Sequence, residues 1–186
     1  MIRTPRLDLI PAHEDLADKV IDFYKRNEPH LAPWDPPKPA DFYTPAFQRK
    51  RLRKAATDAK EGKELRWWFC LRDDHQHLIG NIGLSAIVRG AFQNAMLGYA
   101  IDAQFQGQGL MQEGLSAVIA YAFSPEINLH RIQANVRPEN MRSLRVLQQL
   151  GFEREGFAPA YLFIDGEWRD HVMHALRNGN FKGLPI

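Results

Sequence analysis

Residues 97–111 read LGYAIDAQFQGQGLM, in which an extended segment passes through a loop with two glycines into the start of a helix. Glycine lets the backbone turn sharply and leaves no side chain between the first-turn N–H groups and a ligand. The unpaired N–H groups of a helix start and the helix dipole both favour an anion. The stretch therefore suggests a phosphate site, although a plain tight connection between strand and helix would use the same residues.

Two common nucleotide-binding motifs do not fit this loop. No Gly-Lys-Ser/Thr follows the glycines, as a P-loop requires, and the third glycine of the Rossmann fingerprint is missing. A phosphate here would have to be bound in some other way.

The segments before this loop predict a strand, two helices and a set of hairpins. Helical spacing predicts a helix over residues 13–27, and Thr44-Pro45 is a good start for a second helix that runs to about residue 62. Residues 29–39 contain five prolines around Trp34 and should be irregular but stiff. The predicted strands in this half are 6–11, 65–72, 78–88 and 92–101, and the short joints between the last three favour antiparallel pairing.

After Gly109 the apolar period changes to 3.6, which predicts a helix. A strand at 131–136, a helix at 140–150 ended by Gly151, and a hairpin of strands 157–164 and 167–176 follow. Because a helix joins 92–101 to 131–136, these two strands should run parallel. The sequence thus predicts one α/β domain over 1–186, with a mixed sheet of about seven strands and about four helices.

Composition excludes several classes of protein. The 186 residues include 24 Lys and Arg against 22 Asp and Glu, which is too balanced for a typical nucleic-acid binder. The basic residues within 49–54 fit the solvated face of a helix, or else a site for an acidic or phosphate-bearing partner. Apolar runs are too short to span a bilayer, and a single cysteine without a leader-like start favours the cytosol. Cys70 lies in a strand that is apolar on both sides, so a core position is expected.

The seven histidines do not predict a metal site. His171 and His174 have an odd separation in a predicted strand, which sends their rings to opposite faces, and His75 and His77 lack a third ligand. We therefore expect no metal.

Residues 106–111 (QGQGLM) resemble the Gln/Arg-x-x-Gly-x-Gly/Ala pyrophosphate loop of the GCN5-related N-acetyltransferases (GNAT), with Gln106 and Gly109 in register. Downstream, Asn135, the Asn140-x-x-Ser143 motif and residues 150–156 (LGFEREG) follow in the order found in that family. Met111 stands where the family usually has a small residue, so its side chain should point away from the cofactor.

The resemblance implies the GNAT fold, in which parallel strands 4 and 5 (92–101 and 131–136) splay apart around acetyl-coenzyme A. It places the backbone of Tyr99, Ala100 and Ile101 along the pantetheine arm. It also implies that Ser143 protonates or stabilises the leaving thiolate. A structural role in the first helical turn is the alternative for Ser143. The remaining cofactor contacts that it implies are Gln106, Gly107, Gln108, Gly109, Leu110, Met111, Asn135 and Asn140.

Within this superfamily the chain resembles the RimJ-type ribosomal-protein-alanine N-acetyltransferases. The resembling segments are 31–36, 88–90, 106–111, 130–132 and 161–171. The likeness implies that the acceptor is the N-terminal alanine of a small-subunit ribosomal protein, bound near Trp34, Asp35 and Tyr161. Ordinary loop packing is an equal alternative for Trp34.

The resemblance leaves three questions open. The general base is not identified, the candidates being Glu155, Tyr161, Asp165, Asp170 and Asp35. A small-molecule amine as acceptor, or a coenzyme A-retaining binding module without turnover, is the alternative function. The chain could be a monomer or a homodimer.

Overall fold

The computed structural model describes residues 1–184, in which eight strands form one mixed sheet flanked by five α-helices. The strands are β1 (Ile2–Arg3), β2 (Leu7–Pro11), β3 (Leu65–Leu71), β4 (Gly80–Val88), β5 (Asn94–Ile101), β6 (Arg131–Val136), β7 (Glu153–Ile164) and β8 (Glu167–Arg177). The helices are α1 (Ala17–Arg26), α2 (Glu28–Leu31), α3 (Pro45–Lys60), α4 (Leu110–Ala122) and α5 (Met141–Gln149).

The strand order is β1-β2-β3-β4-β5-β6-β8-β7. Neighbouring strands from β1 to β5 pair antiparallel, and β5 and β6 pair parallel. Strand β8 then pairs antiparallel with both β6 and β7. The expected mixed α/β sheet, with its parallel pair joined through a helix, is confirmed.

Some elements differ from the expectation. The two-residue strand Ile2–Arg3 is too short to show an alternating pattern, and it pairs with β2. Part of the proline-rich segment forms the one-turn helix Glu28–Leu31, because a proline in the first turn loses no helical hydrogen bond. Strand β7 begins at Glu153 rather than at residue 157, since its first residues lie exposed at the sheet edge and carry no apolar alternation.

Both faces of the sheet are apolar, as alternate residues of β3 demonstrate. Trp67 and Phe69 belong to the larger core cluster with α4, whereas Trp68 packs with residues of α1 and α3 on the opposite face. Cys70 on the same strand is fully buried, and burial, with Asp8 adding to it, raises the pKa of its thiol to about 11. Such a thiol is a poor nucleophile at neutral pH, which fits the expected core position.

The basic segment lies on α3, and Arg49, Lys50, Arg53 and Lys54 are exposed, as a solvated helix face requires. Arg51 departs from this pattern. Its guanidinium lies over the rings of two core aromatics, Tyr24 and Phe42, at 5.6 and 5.5 Å. No helix among residues 1–184 is both long enough and apolar enough to cross a membrane.

Candidate active site

Strands β5 and β6 are paired over only three residues, Asn94 to Met96 against Arg131 to Gln133. Beyond Met96 the two strands diverge, while β5 stays bonded to β4 as far as Ile101. The gap opens into a cavity of about 960 Å³. The expected splay is therefore confirmed, and it leaves backbone groups of β5 free along one edge of the cavity.

Four parts of the chain build the cavity wall. One side is formed by the end of β5, the loop after it and the first turn of α4, and the facing side by the end of β6 and α5. The segment around α2 and the β7–β8 hairpin enclose the remaining sides. The cavity thus extends from the helix start to a separate region bounded by the hairpin.

The loop before α4 requires both of its glycines. Gly107 and Gly109 each have φ of +74°, in the left-handed region that favours glycine. Gly109 is the N-cap of α4, and no side chain among residues 1–184 caps this helix. Leu110 and Met111 are buried in the main core and also border the cavity, so the orientation of the Met111 side chain away from the cofactor stays a prediction. The first-turn N–H groups remain accessible to an anion.

A buried ionic cluster fixes the chain between β5 and this loop. The Asp102 carboxylate accepts hydrogen bonds from Arg26 (2.9 Å), Asn27 (3.0 Å) and the backbone N–H of Gln104 (2.9 Å). Burial raises the pKa of Asp102, but these donors outweigh it, and the net pKa lies below the ordinary value. Asn27 also accepts from the N–H of Ala103 at 2.9 Å. Asp102 precedes the glycines by only a few residues, but its side-chain partners Arg26 and Asn27 lie 76 and 75 positions away, so sequence spacing gave no signal for this cluster.

A second contact holds the loop from outside. Arg6 donates from Nη1 to the carbonyl oxygen of Gln108 at 2.9 Å and from Nε to the carboxylate of Glu113 at 2.6 Å. Burial raises the pKa of Glu113, yet hydrogen bonds from Thr4 and Arg6 dominate and lower it overall. Arg6 therefore ties the sheet edge to the first turn of α4 and places a cation beside Gly109.

Two arginines of α5, Arg142 and Arg145, line the same cavity, and neither forms an ion pair within residues 1–184. Gln106 bridges across the mouth: its Oε1 accepts from Arg142 at 2.6 Å, and its Nε2 lies 3.0 Å from Nε2 of His30. The side chain of Gln108 turns back to the loop backbone and does not line the cavity. The mouth next to the glycine loop is thus cationic.

Asn140 and Ser143 stand at the start of α5. Asn140 caps this helix by accepting from the N–H of Ser143 at 3.1 Å. The hydroxyl of Ser143 is not used for capping, because its Oγ lies 2.5 Å from Oη of Tyr99. Burial raises the pKa of Tyr99 to about 12, against the opposing effect of the Ser143 contact, so Tyr99 stays protonated at neutral pH. Tyr99, Ala100 and Ile101 all line the cavity.

The proline-rich segment is fastened to the end of β6. The Arg137 guanidinium lies over the Trp34 ring at 5.2 Å and donates to the carbonyl oxygen of Pro33 at 2.5 Å. Asp35 lines the cavity and forms an ion pair with Lys38 at 3.6 Å. Burial raises the pKa of Asp35, with Lys38 partly offsetting it. The interior of this segment therefore presents one indole ring and one carboxylate to the cavity.

Asn135 and the hairpin form the far end of the cavity. Asn135 donates from Nδ2 to Oη of Tyr161 at 2.8 Å, and the Tyr161 ring packs against that of His171 with centroids 5.3 Å apart. Asn135 and His171 line the cavity, whereas Tyr161 reaches it through its contact with Asn135. The sequence analysis considered His171 as a metal ligand and included it in the resembling segment 161–171, but assigned it no role in this site.

The structure separates the five candidate bases. Asp35 lines the cavity, and Tyr161 lies directly behind Asn135. Glu155, Asp165 and Asp170 do not line it, and each of these carboxylates is already bonded to an arginine or a backbone N–H of the sheet. Within residues 1–184 no group of three or more His, Cys, Asp or Glu side chains could hold a metal ion.

Comparison of the sequence with known proteins identifies its family. Residues 6–153 match the acetyltransferase (GNAT) domain. The chain is 40% identical over 176 residues to the [ribosomal protein uS5]-alanine N-acetyltransferase of Escherichia coli strain K12, a match that covers 94% of this chain and 89% of that protein.

Two solved structures are similar over nearly the whole chain. The ribosomal-protein-S5-alanine acetyltransferase of Vibrio fischeri superposes with a TM-score of 0.92 at 31% identity, covering 97% of this chain and 98% of the other. Mycobacterium smegmatis RimJ in complex with CoA-disulfide superposes with a TM-score of 0.86 at 28% identity, covering 96% and 85%. The chain therefore belongs to the GNAT family of N-acetyltransferases.

Proposed function

We propose that this protein transfers the acetyl group of acetyl-coenzyme A to the N-terminal alanine amine of a small-subunit ribosomal protein. One observation carries the proposal: the gap between β5 and β6 is continuous with the glycine loop at one end and with the Trp34 and hairpin region at the other. A thioester held in the gap would face an acceptor entering from the second region. The likeness to uS5-alanine acetyltransferases supports the acceptor class.

The residues of the cavity fit the chemistry of coenzyme A. Its pyrophosphate is an anion, and the uncapped start of α4, the unpaired Arg142 and Arg145, and the nearby Arg6 supply donors and positive charge. A Cβ added at Gly109 would lie 3.5 Å from Nη2 of Arg6, beside the N–H groups of this helix start. The extended pantetheine arm can pair with the free edge of β5 as an added strand would.

We assign the contacts as follows. Backbone groups of Tyr99, Ala100 and Ile101 bind the pantetheine arm, and one of these N–H groups faces the thioester oxygen. Asn135 and Asn140 bind the arm from β6 and α5. The loop that binds the pyrophosphate consists of Gln106, Gly107, Gln108, Gly109, Leu110 and Met111, and Gln108, Leu110 and Met111 contribute only their backbone.

Ser143 is our candidate for stabilising the leaving thiolate. Tyr99 stays protonated, so it can donate to the Ser143 oxygen and leave the serine hydrogen free for the sulfur. Because Asn140 already satisfies the backbone of this turn, the capping alternative for Ser143 loses its main support.

On the acceptor side, Trp34 supplies an apolar surface and Asp35 a carboxylate that attracts the α-ammonium group. Tyr161 borders the same region through Asn135. An α-amine with a pKa near 7.7–8.0 costs only about 1 kcal/mol to deprotonate at pH 7, whereas lysine costs roughly 4–5 kcal/mol. A cavity without a strongly activated carboxylate thus suits a protein N-terminus. The ribosomal acceptor supports our proposal that the reaction occurs in the cytoplasm.

The decisive experiment is mass spectrometry of ribosomal proteins from cells with and without this protein, which should reveal one N-terminal alanine that loses its acetyl group. In vitro, thiol release should increase with the length of an Ala-initiated peptide. A small-molecule enzyme would ignore residues beyond the first. A binding module would retain coenzyme A and release no thiol with any acceptor.

A further inference from the structure

His171 has one ring nitrogen fixed by the protein backbone and the other directed away from it. It lies on β8 and is only 3% exposed, although it lines the cavity. Its Nδ1 is 3.0 Å from the backbone carbonyl oxygen of Arg169. A carbonyl can only accept, so Nδ1 carries the hydrogen and Nε2 of the neutral ring keeps a lone pair.

The second nitrogen is available to a ligand. Nε2 of His171 has no hydrogen-bond partner among residues 1–184. This atom is not sealed inside the protein and keeps contact with solvent. The Tyr161 ring packs beside the imidazole at 5.3 Å and restricts its rotation. A fixed ring whose free acceptor borders a cavity is the arrangement expected of a proton acceptor.

We propose that His171 is the general base that takes the proton of the acceptor amine, an inference that rests on the acetyl transfer proposed above. The amine nitrogen attacks the thioester carbonyl carbon and the N–C bond forms. The nitrogen loses its proton to Nε2 of His171. The carbonyl re-forms, the C–S bond breaks, and the sulfur leaves as a thiolate beside Ser143. His171 then releases its proton to solvent and the thiolate takes up a proton from solvent, so the net products are an amide and a thiol.

The other groups around the cavity are less suited to this step. Asp35 already pairs with Lys38, and the remaining charged side chains on the wall are His30, Arg137, Glu139, Arg142 and Arg145. The side chain of Glu139 is 64% exposed and paired with Arg137. His30 contacts Gln106 at the cationic mouth, away from the hairpin.

The chain contains a matched control for substitution. His174 lies on the same strand, is 8% exposed, and likewise places Nδ1 3.2 Å from a backbone carbonyl oxygen, that of Val172. It does not line the cavity. His171→Ala and His174→Ala therefore remove similar buried contacts, and only the first removes a group that borders the cavity.

The experiment measures steady-state acetyl transfer to an Ala-initiated ribosomal peptide, with melting temperature and acetyl-coenzyme A affinity determined for each variant. His171→Ala should lower kcat by about 10²- to 10⁴-fold, the range of general base catalysis, and leave cofactor affinity unchanged. Added imidazole should restore part of the lost rate. His171→Asn keeps a donor for the Arg169 carbonyl but has no basic nitrogen, so it should be as slow as His171→Ala while melting closer to the wild type.

A kcat for His171→Asn within about twofold of the wild type would overturn the assignment. An equal loss in the His171 and His174 variants would do the same, as would a loss accompanied by weaker cofactor binding and no rescue by imidazole. If the wild-type protein itself acetylates no Ala-initiated peptide, the proposed function fails rather than the role of His171.

Discussion

Substitution of Gly109 by glutamate tests the cofactor site most directly. Gly109 has φ of +74°, and any residue with a Cβ adopts that conformation at a cost of about 1–2 kcal/mol. Space is not the obstacle, because the nearest atom to an added Cβ is Nη2 of Arg6 at 3.5 Å, an ordinary contact. The effect on binding should come from the carboxylate, which would occupy the anion position and repel a phosphate.

The expected magnitude follows from the lost contacts. If the carboxylate displaces two backbone N–H donors from the pyrophosphate, each worth about 1.5–3 kcal/mol to a charged group, affinity falls by about 3–6 kcal/mol. That corresponds to a Kd for acetyl-coenzyme A raised by roughly 10²- to 10⁴-fold. Repulsion between the two anions would add to the loss.

Gly62 provides the control for backbone strain. Its φ is +69°, an added Cβ there meets nothing within 4 Å, and it lies outside the cavity. Gly62→Glu and Gly109→Glu should lower the free energy of unfolding by similar amounts in urea titrations. Calorimetry should show that only Gly109→Glu loses acetyl-coenzyme A. If folded Gly109→Glu binds with a Kd within threefold of the wild type, the pyrophosphate does not lie at this helix start.

Three further outcomes are expected. Ser143→Ala should lower kcat at least tenfold with a small change in acetyl-coenzyme A affinity, and equal losses would indicate a structural role instead. Trp34→Ala should raise the peptide KM and leave the acetyl-coenzyme A KM unchanged, while the exposed Trp168→Ala should change neither. Asp102→Asn should lower the free energy of unfolding by roughly 2–4 kcal/mol at pH 7, since it removes the charge partner of Arg26. Because folding lowers the pKa of Asp102, this difference should shrink as the pH falls through values below 3.8, which urea titrations at neutral and acid pH would measure.

Much of the fold was predictable because its strands are buried on both faces and its joints are short. Trp67, Trp68 and Phe69 predict a central strand whichever face is considered, and all three are in the core. The period of 3.6 after Gly109 predicts α4, and Gly151, with φ of +81°, ends the next helix as expected. The two missed elements are short: the strand Ile2–Arg3 has two residues and the helix Glu28–Leu31 has four. Such short elements depend on contacts with distant residues rather than on a local sequence pattern.

The two halves of the candidate site differ in how far sequence predicts them. The cofactor half depends on backbone geometry, and glycines at fixed spacing before a helix are visible in the sequence. The side-chain contacts that hold this loop cannot be recognised in the sequence, because Arg6 and Asp102 bond to residues far away in the chain. Arg6 bonds to Glu113 of α4, and Asp102 bonds to Arg26 of α1, so each contact forms only when the helices pack on the sheet.

The acceptor half is built entirely from side chains that the topology assembles, and this explains why the choice of base stayed open. The sequence offered four carboxylates and Tyr161 as candidates, and carboxylates attract an ammonium group but are often paired or exposed. The sheet instead places β8 next to β6. This brings the buried imidazole of His171 to the end of the gap, where β5 and β6 have diverged. An α-amine, with a pKa near 7.7–8.0, gives up its proton to any base at a cost roughly 3–4 kcal/mol lower than a lysine does, whose pKa is near 10.4. If His171 takes the proton, selectivity for protein N-termini over lysine side chains is set by this proton transfer as well as by the shape of the cavity.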